Sequence, residues 1–324
     1  MKKYGGVREH SLEHIQEARD LYGKIIDKFP PFDPTEKVAH LLQGAVDTHF
    51  HGAPCPTATR RGEIDYAIRA TELGMQAICN KSVTGATARS CRIIQEVVNQ
   101  WAKDHNKKPC KMVGGVVLCP QIGGINVEAV VNCAQLGGKF VWTPVLESSH
   151  HRMLMGISET LGHGIDVVDQ NDEVVPELKD IFKVIAEYDL VLACAHQSTR
   201  ERLIMVDTAR ELGVKRILLC HVFQPTTRLD IEQMKMFVAK GCYLEHPFYD
   251  LTPMAWPWDE TLEAIEEIGA DHFVIASDCG NWRKPDPIDF YKITIGLLLE
   301  CGILESDLSK MVRLNAEKLI WGEP

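Results

Sequence analysis

The sequence predicts an α/β protein of the (β/α)8 barrel class, with an N-terminal accessory helix and further helices at its C-terminal end. Three observations carry this reading. Eight short apolar runs alternate strictly with amphipathic stretches, the pattern of parallel strands joined by helical crossovers. The eight units occupy roughly 280 residues, which suits a closed barrel better than an open doubly wound sheet. No Gly-rich phosphate fingerprint follows the first strand, which argues against a dinucleotide fold.

Taken in order, residues 9–29 show helical periodicity through Leu12, Ile15, Ala18, Leu21, Ile25 and Ile26, and Pro30, Pro31 and Pro34 then stop the helix. Residues 1–43 are read as a helical extension and 44–324 as a single barrel domain. The strand candidates lie in the runs 44–51, 75–82, 111–120, 139–144, 190–197, 214–222, 241–248 and 272–280. Helix candidates separate them, and a long loop over 147–171 follows the fourth. The segment 305–322 reads as one or two helices closing the bottom or side.

The bulk composition narrows the function classes. Hydrophobic residues make up 45% and charged residues 25%, as in an ordinary globular chain. The net charge of -10, without a basic block, argues against nucleic acid as a main partner. No apolar run approaches the ~18 residues of a membrane span, and the polar start lacks the core of a signal peptide. A cytoplasmic location is therefore expected. The eleven cysteines show no C-x-x-C pair. Cys79, Cys194, Cys220 and Cys242 read as small buried hydrophobes, whereas Cys55 and Cys279 fall in loops beside the proposed site.

In a barrel of this class catalytic groups gather where strands end and βα loops begin. His49 and His51 end the first strand run, two positions apart and so on one face. His196 ends the fifth, His221 the sixth and Asp278 the eighth. Each alone has an ordinary explanation, a hydrogen-bonded histidine or a capping aspartate. Four imidazoles and one carboxylate at the same mouth suit a divalent transition metal, one ion or two, with Zn, Mn and Fe as candidates.

That order of residues resembles the amidohydrolase superfamily: His-x-His on strand one, His on strands five and six, Asp on strand eight. The resemblance spans roughly 44–320 and includes Asn315-Ala316-Glu317-Lys318-Leu319, which looks like an element near the end of many members. It implies that His49, His51 and His196 ligate metal, with His221 on a second metal or on substrate. It also implies that Asp278 takes a proton from the attacking water and passes it on. Binuclear members carry a bridging lysine or glutamate on strand four, and here only Lys139 stands there, at the strand's beginning. Lys139 is equally well an ordinary polar strand start. Lys81, at the end of strand two, is at the right height for bridging, for an anionic substrate group or for orienting a carbonyl.

Weaker candidates complete the set. His150 and His151 open the loop after strand four, as ligands, gates or solvent-exposed residues. Glu245 and His246 end strand seven, to contact substrate or to cap the strand. Trp142, Trp256, Trp258 and Trp282 offer an apolar lid or ordinary loop packing. The expected activity is hydrolysis of an amide, cyclic amide or other C–N bond in a small molecule. Ester, lactone or phosphoester hydrolysis and metal-dependent decarboxylation are alternatives on the same ligands, and a non-catalytic metal-binding barrel is the alternative outside enzymes. Arg60, Arg61, Lys81, Arg283 and Lys284 hint at an anionic substrate. The N-terminal helix and loop tryptophans suggest a homo-oligomer.

Overall fold

A computed structural model describes residues 36–55, 59, 61–157, 164–247, 258–280 and 286–322. The accessory helix expected over 9–29 lies outside the described residues, as do Arg60, Trp256, Trp282, Arg283 and Lys284.

Eight parallel strands form the barrel. They are β1 (Val46–Phe50), β2 (Ala77–Asn80), β3, β4 (Phe140–Trp142), β5 (Val191–Cys194), β6 (Arg216–Leu219), β7 (Tyr243–Pro247) and β8 (Phe273–Ala276). The third strand is interrupted at Gly114: Lys111–Val113 pairs with β2, and Gly115–Val117 pairs with β4. The ladder then runs from β4 to β8 in sequence order. Closure between β8 and β1 rests on a bridge of Phe50 with Cys279, just beyond the ends of the regular ladder.

Alternation within each strand explains why the runs are apolar throughout. Val46, Cys79, Ala193, Leu218 and Val274 point into the barrel with Phe140 and Trp142. Their neighbours Ile78, Leu192, Ile217, Phe273 and Ile275 face the surrounding helices. Both faces are buried, so no polar alternation remains to be read. Each large outward side chain contributes roughly 1.5–3 kcal/mol of burial.

Among the described helices, α2 (Glu63–Glu72), α7 (Thr199–Glu211) and α10 (Pro287–Glu300) carry side chains that brace the strands beneath the site; they are numbered with α1 (Glu36–Leu42), α3 (Ala88–Asp104), α4 (Val127–Gln135), α5 (Ser149–Leu154), α6 (Pro176–Glu187), α8 (Ile231–Ala239) and α9 (Trp258–Ile268). The loop expected over 147–171 contains α5, started by Ser148, whose side chain accepts from the N–H of His151. At the C-terminus a helix over 305–309 passes through a π turn into Asn315–Trp321. Ala316, Leu319 and Ile320 of that last helix pack into the barrel-interior cluster. Asn315 donates to the carbonyls of Ala270 and Phe273, 2.7 Å each, and so pins the helix to the start of β8.

No described helix is long and apolar enough to cross a membrane.

Candidate metal centre

The site begins with an irregularity in β1. Its register against β2 shifts between Asp47 and Phe50, which takes the N–H of His49 out of the regular ladder. Asp47 Oδ1 accepts that N–H at 3.1 Å and the N–H of Ser277 at 3.0 Å, while Tyr66 of α2 donates its hydroxyl to Oδ2 at 2.9 Å. Burial pushes the Asp47 carboxyl up to about 6, against the pull of these donors. Asp47 thereby ties β1 to β8 from the outer face.

The backbone bonds that close the barrel also place the site residues. Asp278 N–H donates to His49 O, and His51 N–H donates to Cys279 O, both at 2.7 Å. Gly280 follows at φ +123°, and a Cβ there would overlap the His51 carbonyl oxygen, so only glycine permits this approach. Below, the Tyr291 hydroxyl of α10 lies 2.8 Å from Val46 O and 2.5 Å from Ile275 O. Asp278 and His221 both adopt positive φ, +43° and +56°. Left-handed backbone is costly for such residues and clusters where function demands a particular side-chain direction.

Three acceptor atoms converge at the mouth. His49 Nε2 lies 3.2 Å from His51 Nε2 and 3.2 Å from Asp278 Oδ1, and His51 Nε2 lies 3.1 Å from the same oxygen. The partners of the other ring nitrogens decide the tautomers. His51 Nδ1 is 2.6 Å from the Lys81 carbonyl, which can only accept, so Nδ1 carries the proton. His49 Nδ1 faces Glu245 Oε1 at 3.2 Å and donates to it. Both Nε2 lone pairs therefore point at each other and at a carboxylate oxygen. Burial, reinforced by the charge of Lys81, pushes the His49 imidazole down to about 3, so it is neutral at pH 7. Two imidazole nitrogens and a carboxylate oxygen at this spacing form a transition-metal donor set.

Behind this group Glu245 is fully buried; expected to end its strand, it lies in the middle of β7, which runs on to Pro247. Burial opposes its ionisation, yet the His49 and His221 imidazoles outweigh that and hold it well below the usual carboxylate range. His221 Nδ1 lies 3.1 Å from Glu245 Oε1 without an aligned hydrogen bond, and Glu245 Oε2 has no partner. The rings of His49, His221 and His196 follow one another around the mouth, with centroids 5.1 and 5.2 Å apart. His196 Nδ1 in turn meets His151 Nδ1 of α5 at 2.9 Å. Burial, then the neighbouring His221 and Lys81, hold His196 well below the ordinary imidazole range.

The structure thus brings His49, His51 and Asp278 into one tight group and His49, His221 and Glu245 into a second. His196 adjoins them through its ring contact with His221 and pairs with His151. His150 turns aside to the Thr226 carbonyl at 3.1 Å. Lys81 is buried at the mouth. Lys139 stands at the opposite end of the barrel, where its N–H joins the Gly114 carbonyl ahead of β4. Arg61 turns to Asp286, an ion pair at the rim.

Sequence reading missed Arg202. It lies on α7, a helix rich in charged residues, and nothing in its spacing sets it apart. Yet it is fully buried, and its guanidinium donates to the carbonyls of Ala195, Cys220 (3.0 Å) and Thr227 (2.9 Å). Ala195 and Cys220 immediately precede His196 and His221, so one side chain locks the ends of β5 and β6.

Comparison with known proteins accords with this architecture. Residues 44–245 match a family of unknown function (DUF6282), and the chain belongs to that family. No curated protein matches the chain. Among solved structures it is similar to the probable dipeptidase PvdM from Pseudomonas aeruginosa, at 12% identity over 97% of this chain and 99% of that one, with a TM-score of 0.54. An amidohydrolase from Pseudomonas aeruginosa matches at 11% identity over 90% and 100%, TM-score 0.50. An amidohydrolase from Burkholderia multivorans with bound zinc matches at 9% over 86% and 99%, TM-score 0.51. The fold is that of the amidohydrolase barrels.

Proposed function

We propose that this member of the DUF6282 family is a metal-dependent hydrolase that cleaves an amide, cyclic amide or other C–N bond in a small molecule. The observation that carries the reading is the convergence of His49 Nε2, His51 Nε2 and Asp278 Oδ1, three metal-ligating atoms 3.1–3.2 Å apart. These three residues would hold the ion. When bound, it supplies Lewis acidity at the barrel mouth and acidifies water there.

The chain's own groups do the rest. Glu245 accepts the His49 Nδ1 proton and so keeps Nε2 available. Because His49 spends Nδ1 on that bond, the second group acts as support for a single ion. Asp278, ionised beside a cation, takes the proton of the attacking water and returns it to the leaving nitrogen. His196 and His221, locked by Arg202, line the space in which the scissile carbonyl would lie. The choice of a C–N bond follows the sequence resemblance, and the names of the amidohydrolase and dipeptidase neighbours support it.

Turnover of N-acyl amino acids, dipeptides and cyclic amides by protein loaded with zinc, manganese or iron tests this. Asp278→Asn is expected to lower turnover by about 10²–10⁴-fold while leaving bound metal largely in place. Normal turnover by that variant would sink the mechanism.

A further inference from the structure

Lys81 has no role in the chemistry above, yet its position is unusual. It directly follows β2 with 2% of its surface exposed, in a barrel mouth where long cations are seldom buried without a partner. Its carbonyl is occupied by His51, whereas its ammonium meets no carboxylate and makes no hydrogen bond among the described residues. The contact it does have is the Trp142 ring, 5.8 Å from Nζ. Trp142 itself carries a buried indole N–H without a partner. The His51 bond to the Lys81 carbonyl and the Trp142 ring beside the ammonium set Lys81 at the mouth between the ends of β1 and β4.

An unpaired buried ammonium beside an unsatisfied N–H is a cost that a ligand must offset. The site's own carboxylates are committed elsewhere. Asp278 faces the imidazole nitrogens, and Glu245 faces His49 and His221. With a divalent cation held there, both are neutralised and Lys81 remains the uncompensated charge. We propose that Lys81 is the anchor for a carboxylate on the substrate, with the Trp142 indole as its neighbouring wall. The substrate class becomes that of small acids carrying the scissile C–N bond close to a free carboxylate, such as N-acyl or N-carbamoyl amino acids. The inference rests on the hydrolase reading for the bond, but not for the anion.

Calorimetric titration of the full-length protein with benzoate, in zinc-loaded and chelator-treated forms, tests it. Wild type is expected to bind benzoate in both forms, more tightly with zinc because the ion neutralises the carboxylates of the mouth. In each form Lys81→Met is expected to lose at least about tenfold in affinity and Lys81→Arg to stay within about threefold. Zinc content should be equal in all three, because the Lys81 contact with His51 is made by the backbone. Benzoate binding by Lys81→Met equal to wild type overturns the proposal, as does a zinc-loaded wild type that does not bind benzoate. Either result leaves the metal centre standing. Protein that binds benzoate through Lys81 but never holds zinc fails the hydrolase reading alone.

Discussion

The tautomer of His49 decides which of its nitrogens can hold an ion, and Glu245 decides the tautomer. Glu245→Gln replaces an ionised acceptor by an amide that can present either face. Zinc affinity, measured by competition with a chromophoric chelator, is expected to fall about 10–100-fold. Unchanged affinity would show that His49 is oriented without its buried carboxylate. His49, His51 and Asp278 were legible in the sequence because a short polar motif interrupts each apolar run at its end. Glu245 was visible only as a residue ending a strand, with capping an equally good account. Its role depends on burial and on two imidazoles from other strands, neither of which is a local property. Arg202 was hidden for the same reason: among the many charged residues of its helix, nothing local marks it as the one that faces inward.

At the scale of elements, the junction of β8 with β1 is both the barrel's seam and the site's frame. Gly280 tests this coupling. A methyl group there meets the His51 carbonyl, whereas one at Gly302, also at positive φ, meets nothing within 4 Å. Gly302→Ala is expected to cost about 1 kcal/mol of backbone strain, and Gly280→Ala clearly more, about 2–4 kcal/mol, because the backbone must move as well. Urea unfolding of the two variants measures the difference, and equal losses would contradict the close packing described for the seam. The strands were readable from their apolar runs, and the interruption at Gly114 was not, since two glycines in one run do not reveal where pairing changes partner. Nor was α5: six residues make too few turns for a periodicity to show.

For the whole molecule, buried imidazoles make the fold sensitive to acid. His49, His196 and His151 all have pKa values lowered chiefly by burial. Their folded-state values lie below the unfolded value near 6.5, so the stabilisation is complete above that pH and is lost as pH falls, for His49 down to about 3. Each contributes a slope of at most about 1.4 kcal/mol per pH unit. Asp47, raised to about 6, and Glu63, also raised by burial, work in the opposite sense and gain stability as they protonate. Glu245, held low against its burial by the imidazoles, adds to the acid loss, so the two offset only part of the four. Melting temperatures of chelator-treated protein are therefore expected to fall from pH 7 to pH 4, with a shallower fall in His196→Gln. A flat profile, or one equally steep in the variant, would contradict neutral buried imidazoles. The barrel class was legible at this scale because eight alternating units allow few other folds, whereas the charge balance of the mouth exists only once distant strand ends are brought together.

The convergence of His49, His51 and Asp278 on one cation is the central claim, and elemental analysis of purified protein tests it most directly. The account predicts about one equivalent of transition metal per chain, removed by chelator, restored by zinc, manganese or iron, and absent from His51→Ala. Wild type that holds no metal after reconstitution, or His51→Ala that holds as much as wild type, would contradict it.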